Sequence, residues 1–303
     1  MLKWLGFIMN NPVERLFSPA AGKSFGSGCR VSEDFAADTV MKASIGSNYR
    51  DWHYLFDLIL QEARAGLRAE ASRGYLGVLW WIIEPVMYMS VFYIAFAHLL
   101  HRGDDNYVTF LLTGLIVWKW FHATLNTGSN SLMANAGLMN QIYVPKIVFP
   151  LTNVAVNTFK FLFILVILIV FLHFTTAGAT LAWLLLPVLV LTQLLLLAAL
   201  SSLLAALMPF FPDLKMIFDN ILMMLLFLSG VFFDIAKLPE KMQEYLLINP
   251  MAALITMYRQ VLLQGLPPDW RQVALILGFS AATMLTAIWV LRRFDRIYPK
   301  IIV

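Results

Sequence analysis

Long apolar runs dominate the chain beyond residue 75. A helix needs about 20 residues, at about 1.5 Å each, to cross the hydrocarbon core of a bilayer. Runs of that length cover residues 76–100, 107–124, 147–174, 181–208, 216–233 and 273–291. Pro187 lies inside the fourth run and is expected to kink that helix. The pattern predicts an all-α integral membrane protein with six transmembrane helices per protomer.

A further apolar stretch, residues 238–263, is too interrupted to span. The interruptions are Pro239, Asn249, Pro250 and Arg259, followed by the Gly- and Pro-rich segment 265–268. Charges and helix breakers at membrane depth favour short helices that enter and return over a continuous span. We therefore expect two short re-entrant helices on the external side, between spans five and six.

Residues 51–70 carry a different pattern. Apolar side chains recur there at three- and four-residue steps, at Trp52, Leu55, Phe56, Ile59, Ala63 and Leu67, whereas Asp57, Gln61, Arg64 and Arg68 share the other face. This pattern indicates an amphipathic helix. Its position just before a span predicts that it lies in the cytoplasmic interface. The alternative is a soluble helix packed on a partner domain.

The first 50 residues are rich in glycine, serine and acidic residues, which predicts a flexible or peripheral cytoplasmic tail. The tripeptide Gly22-Lys23-Ser24 suggests a phosphate-binding loop, but such a loop needs a glycine where Phe17 stands. The chain is thus expected to carry no ATPase. The predicted organisation is a tail (1–50), an interface helix (51–75) and a six-span membrane domain (76–303).

Composition supports the membrane assignment. The chain is 60% hydrophobic and only 13% charged, which excludes a soluble enzyme, a nucleic-acid binder and a disordered hub. The single cysteine, Cys29, excludes an intrachain disulfide framework. Lysine and arginine concentrate before Tyr75, after the even-numbered spans and after the last span. The positive-inside rule therefore predicts that both termini are cytoplasmic, and no cleavable signal peptide is expected.

A few charged and aromatic residues lie inside the apolar runs. Glu84 and Lys119 each sit about 10 Å deep from the predicted cytoplasmic side, and we expect them to pair across two helices. The alternative is that each reaches the interface or a water cavity separately. The candidate pore-lining residues are Trp80, Tyr88, Phe92, Tyr93, Phe96 and Lys160. Ordinary helix packing and interfacial anchoring remain the alternative for the aromatic residues.

No catalytic constellation is visible in the sequence. The five histidines lack metal-ligand spacing. An intramembrane carboxylate relay and an inverted repeat of the secondary-transporter type are also missing. The expectation is a transport subunit, not an enzyme, with no cofactor or metal and an external energy source.

Four stretches, in order, resemble the permeases of type-2 ABC exporters, especially those that export capsular polysaccharide and O-antigen. The sequence from Arg68 to Pro85, with LGVLWWIIEP at its core, is similar to the start of the family's first span. Residues 134–146 resemble its cytoplasmic loop after span two, and residues 211–214 its loop before span five. Residues 238–250 with Arg259 resemble its external re-entrant segment. The tail of about 50 residues is longer than the family pattern.

The resemblance implies a homodimer in the bacterial inner membrane, with two copies of a cytoplasmic ATPase subunit that binds ATP and Mg. The cargo would be a surface polysaccharide, as capsule or lipid-linked O-antigen, and a periplasmic conduit protein is a further candidate partner. The implied ATPase-coupling residues are Asn135, Gly137, Leu138, Asn140, Pro212, Asp213, Arg64 and Arg68. The implied external gate consists of Pro239, Tyr245, Asn249, Pro250 and Arg259.

Two alternatives remain open at this point. The same fold could export teichoic acid, a lipid or a drug, because pore width and lining decide the cargo. A membrane-embedded glycan-modifying enzyme, such as an acyltransferase, would need a histidine or carboxylate dyad at the membrane face. No convincing dyad is present in the sequence.

Overall fold

The computed structural model describes residues 52–72, 79, 83, 86–87, 90–91, 94, 107–141, 144–175, 180–211, 213–295 and 297–301. These residues contain helices and loops, and no strand occurs among them. The helices are α1 (Trp52–Ser72), α2 (Tyr107–Ser129), α3 (Ser131–Ala134), α4 (Ala136–Gln141), α5 (Val148–Thr175), α6 (Leu186–Leu207), α7 (Leu214–Leu228), α8 (Glu240–Leu247), α9 (Pro250–Arg259), α10 (Trp270–Arg293) and α11 (Tyr298–Ile301). The packing described below concerns Ile59–Val303.

The core forms around α2. This helix packs against α5, α6 and α9, while α10 packs along α6. Most of α2 is buried, including Val117, Trp118 and Leu125. In contrast, α5 and α10 expose large apolar side chains such as Val170 and Leu285. An exposed apolar surface of this kind is suited to contact with lipid.

Four helices are long and apolar enough to cross a membrane, namely α2, α5, Leu181–Leu207 and α10. The predicted spans two, three, four and six are therefore confirmed as helices of spanning length. The bent pair of α8 and α9 raises the number to five if it counts as one span. The predicted span 76–100 lies largely outside the described residues, so the total of six stays a prediction.

The predicted fifth span, 216–233, is wrong at its C-terminal end. Helix α7 has 15 residues, about 22 Å of helix, which is short for a bilayer crossing. It stops because Gly230 adopts a left-handed conformation with φ of 69°, a typical helix termination. The apolar residues Val231 to Phe233 continue the run in sequence but leave the helix.

The expected interior kink at Pro187 is also wrong. A short 3₁₀ helix, Leu181–Leu185, precedes α6, and Pro187 falls in the first turn of α6. A proline in a first turn loses no intrahelical hydrogen bond, because that N–H has no partner there. Pro187 therefore marks where the α-helical part of this span begins.

Two short helices follow α7, as the sequence predicts. Helix α8 and the segment Pro250–Gln264 are bent by 110°. Asn249 makes the break, because its side chain accepts a hydrogen bond from Met251 N at 3.0 Å and caps α9. A π-helical turn, Gln260–Gln264, extends α9 to Gly265. Whether the pair enters and returns on one side stays a prediction.

Polar contacts and small residues join α2 to its neighbours. Asn157 Nδ2 on α5 donates to Thr127 Oγ1 at 2.9 Å, and Gln193 Nε2 on α6 donates to Val117 O at 3.1 Å. Gly128 on α2 lies directly against Ser201 on α6, where a Cβ atom would overlap the serine side chain. Small residues at such crossings allow close helix approach in membrane proteins.

The close approach at Gly128 yields a stability prediction. Replacing Gly128 by Ala is expected to destabilise the protein by about 1–3 kcal/mol, because the added methyl forces Ser201 and α6 outwards. The measurement is thermal unfolding in detergent. The matched control is Gly278→Ala on α10, where no atom outside the backbone of that helix lies within 4 Å of the added Cβ. If Gly128→Ala is as stable as that control, α2 and α6 do not cross as described.

Candidate functional site

The most connected polar group in the described bundle is the Arg259 guanidinium at the end of α9. Arg259 is 5% exposed. Its Nε donates to Phe110 O at 3.1 Å, Nη1 to Gly230 O at 2.6 Å and Nη2 to Val231 O at 2.8 Å. The guanidinium carbon lies 3.4 Å from the centroid of the Phe110 ring. The arginine thereby joins α2, the end of α7 and α9.

Local sequence explains this arrangement. The left-handed Gly230 ends α7 and turns its carbonyl, and that of Val231, away from any helical partner. A cation near a helix C-terminus also interacts favourably with the helix dipole. Gly114 on α2 leaves room for the guanidinium, since a Cβ atom there would overlap Nη2.

Two more side chains form hydrogen bonds near the C-terminal end of α7. Asn249 Nδ2 donates to Ser229 Oγ at 3.0 Å, and the Tyr107 hydroxyl donates to Phe232 O at 3.2 Å. We call this region the arginine end; it consists of Tyr107, Phe110, Gly114, Ser229–Phe232, Asn249 and Arg259. It is a network of backbone carbonyls held by side chains.

The predicted gate residues divide into two groups. Asn249, Pro250 and Arg259 belong to α9 and its cap, and Asn249 and Arg259 both hold the end of α7. Pro239 and Tyr245 are exposed, and no hydrogen bond is described that links them to the arginine end. Sequence reasoning missed Gly114, Ser229 and Gly230. The Ser-Gly pair at the end of an apolar run was the available signal.

The predicted coupling loop, residues 134–146, is helical from Ala136 to Gln141. Asn135 lies between α3 and α4, where its Nδ2 donates to Ser131 O at 2.8 Å. The resemblance assigns Gly137 to a loop, which is wrong, because it lies within α4. The segment is rich in Ala, Leu, Met and Gln, which favour helix. Gly137 is nevertheless exposed, Leu138 is half-buried, and the side chain of Asn140 is outside the described part.

The second predicted coupling segment precedes α7. Asp213 is exposed and its side chain makes no capping hydrogen bond, while Pro212 lies outside the described residues. Two residues further on, Lys215 Nζ donates to Asn126 Oδ1 on α2 at 3.2 Å and to Asp219 Oδ1 at 2.6 Å. This end of α7, opposite the arginine end, is thus also tied to α2.

The remaining predicted residues are spread over other elements. Arg64 and Arg68 are exposed on α1, and the neighbouring Gly66 faces Val156 of α5. Lys119 on α2 and Lys160 on α5 are half-buried. Glu84, Trp80, Tyr88, Phe92, Tyr93 and Phe96 all lie outside the described residues. The Glu84–Lys119 pair and the pore lining therefore stay predictions.

Within the described residues, no group of three or more His, Cys, Asp or Glu side chains is arranged to hold a metal ion. The polar contacts of the arginine end join α2, α9 and the segment after α7.

Comparison with known proteins shows which family and which proteins this chain is similar to. Residues 65–263 match the family described as ABC-2 type transporter. An O-antigen export system permease protein RfbA of Klebsiella pneumoniae is 27% identical over 238 residues, which cover 78% of this chain and 92% of that protein. An RfbA of Myxococcus xanthus is 26% identical, with the same coverage. The polysialic acid transport protein KpsM of Escherichia coli is 25% identical over 72% of this chain and 86% of that protein.

The arginine end yields a second prediction. Arg259→Lys is expected to lower the thermal midpoint and the yield of folded protein. A lysine cannot reproduce three directed hydrogen bonds, and each buried carbonyl left without a donor costs about 1–3 kcal/mol. The control is Arg271→Lys, an exposed arginine at the start of α10. Equal stability of the two variants would contradict the described network.

Proposed function

Because this chain belongs to the ABC-2 type transporter family, we propose that it is the membrane-spanning subunit of an ATP-driven polysaccharide exporter. The cargo is a bacterial surface polysaccharide, either capsule or lipid-linked O-antigen, moved across the inner membrane. The observation that carries the proposal is the similarity to O-antigen export permeases over 92% of their length. The set of long apolar helices in the described chain agrees with a membrane transport subunit.

The exporter is a homodimer with two copies of a cytoplasmic ATPase subunit. ATP and Mg bind to that subunit, so this chain carries no cofactor. We place the second copy against α7, which buries only Leu222 and exposes Met216, Met223, Met224 and Phe227. In a membrane an apolar face of this kind suits contact with lipid or with a second copy. A periplasmic conduit protein would meet the complex at the arginine end.

The ATPase docks at the end of the bundle that contains α3, α4 and Asp213, which faces the cytoplasm together with both termini. Gly137 on α4 has open space around it, and Asp213 is exposed without a capping hydrogen bond, which suits a docking surface. Arg64 and Arg68 extend this surface, or contact lipid phosphates, from the interface helix α1.

Force applied at this surface reaches α7 through its cytoplasmic end. Helix α7 is tied to α2 by Lys215 at one end and through Arg259 at the other. Movement of the segment before α7 therefore changes the position of α7 against α2, next to the proposed dimer interface. At the arginine end, α8 and α9 control access to the external mouth.

The direct test is reconstitution of the full chain with its ATPase subunit in proteoliposomes. We expect ATP-dependent translocation of a lipid-linked polysaccharide, measured by protection from an external glycosidase. Translocation without the ATPase, or turnover of the glycan by this chain alone, would overturn the proposal.

A charge reversal at the docking surface gives a third prediction. Asp213→Lys is expected to lower polysaccharide translocation per ATP severalfold, because it changes an exposed contact without removing a side-chain tie. The complex should still assemble and hydrolyse ATP. The measurement is the ratio of polysaccharide translocated to phosphate released.

The matched control is Arg271→Glu, a charge reversal at an exposed residue at the start of α10, outside α8 and α9. It should leave translocation per ATP unchanged. If both reversals behave alike, the cytoplasmic end is not the docking surface.

A further inference from the structure

The residues after α10 return to the proposed cytoplasmic end of the bundle. Tyr298 is completely buried, and its hydroxyl donates to Ala206 O at 3.0 Å. Ala206 lies in the last turn of α6, where carbonyl groups have no partner within the helix. The tyrosine thus caps α6 from a segment 92 residues away in sequence.

Three aromatic rings meet at this point. The centroid of the Phe210 ring lies 5.2 Å from that of Phe294 and 5.4 Å from that of Tyr298, both in edge arrangements. Such edge contacts are favourable beyond the burial of area. Phe210 belongs to the turn that links α6 to Asp213 and α7. We call Phe210, Phe294 and Tyr298 the aromatic clamp.

The same C-terminal segment also reaches the other cytoplasmic segment. Helix α11 packs against α4. Lys146, which follows α4 and precedes α5, is buried, with its Nζ donating to Val144 O at 3.2 Å. Burial lowers the pKa of Lys146, and the Asp295 carboxylate partly offsets this effect. Asp295 is therefore within electrostatic reach of the α4–α5 connection.

Tyr298 remains a hydrogen-bond donor under physiological conditions. Burial raises the pKa of Tyr298 to about 12, and the nearby charge of Asp295 adds to the effect. The hydroxyl thus keeps its proton over the pH range in which the protein works, and the bond to Ala206 persists.

We propose that the aromatic clamp joins the two ATPase-facing segments, α3–α4 and the turn before α7, into one unit. The clamp transmits displacement of α4 to α6 and α7, and Tyr298 is a positioning residue for coupling. Among the described helices, the most extensive pairing of α4 is with α11, whereas α3 packs directly against α2, α5 and α6. The C-terminal segment is therefore the route from α4. This inference rests on the proposed function and adds to it a residue outside the predicted coupling set.

The test uses the full complex in proteoliposomes and compares two variants with two controls. Tyr298→Phe removes only the hydroxyl, and Phe294→Ala removes one ring of the clamp. Ile297→Ala and Ile301→Ala alter exposed side chains of the same segment. Retention of the ATPase subunit, ATP hydrolysis and polysaccharide translocated per ATP are measured for each. We expect severalfold less translocation per ATP for Tyr298→Phe and Phe294→Ala, retained ATPase binding, and no change for the two isoleucine variants.

A cross-linking arm separates transmission of movement from simple folding. In a Cys29→Ser background, Phe210→Cys and Phe294→Cys remove two clamp rings and allow a short bismaleimide to bridge the positions. Translocation per ATP is expected to be low before bridging and to recover after it.

The outcomes are distinct. If Tyr298→Phe translocates normally per ATP, or is merely less stable with an unchanged ratio, the clamp is overturned while the proposed function stands. Lack of recovery after confirmed bridging also contradicts the clamp. If the wild-type complex shows no ATP-dependent translocation, the proposed function itself fails.

Discussion

The hydrogen-bonding demand of helix ends is the constraint on which the described structure depends. Every helix leaves its last four carbonyl groups without an internal partner, and hydrocarbon offers none. Here side chains from distant parts of the chain supply the donors. Tyr298 serves the last turn of α6, and Trp183 Nε1 donates to Leu262 O at 3.3 Å near the end of the α9 segment. Arg259 serves the carbonyl groups of Gly230 and Val231, just beyond the end of α7. Each such bond fixes a helix terminus and also joins two elements, so the ends of the bundle hold it together.

Helix α7 illustrates what this arrangement allows. Its middle contributes little to the core, since Leu222 is its only buried residue. It is held instead at its termini, by Asn249 and Arg259 at one end and by Lys215 at the other. A helix held in this way can tilt about its ends without breaking a packed interface, because few side chains interlock along its length. That freedom would allow α7 to move at the proposed dimer interface.

Sequence alone gave reliable positions for α2, α5 and α10, because a run of apolar residues that must lie in lipid leaves little choice but a helix. The sequence-based prediction failed where residues of the same type occur both inside and outside a helix. Val231 and Phe232 are as apolar as the helix before them, yet Gly230 ends α7. Glycine is common in turns, but Gly137 lies in a helix because the neighbouring residues favour helix. Pro187 was expected to bend a helix that instead begins there. These differences depend on backbone geometry, which hydropathy does not record.

The sequence likewise identified some functional residues and missed others. Arg259 was identified through the resemblance of its segment to the family's external re-entrant segment. Its partners were not, since carbonyl groups of Phe110, Gly230 and Val231 carry no sequence signature. The partners also decide what the residue does. Three bonds, one to α2 and two to the segment after α7, fix the arginine end as one body. In contrast, Lys215 is 31% exposed and bonds to exposed or half-buried groups. The Lys215 contact is partly solvated, and ties of that kind are much weaker than buried ones. Rearrangement of α7 should therefore begin at the lysine, with the arginine end as its pivot.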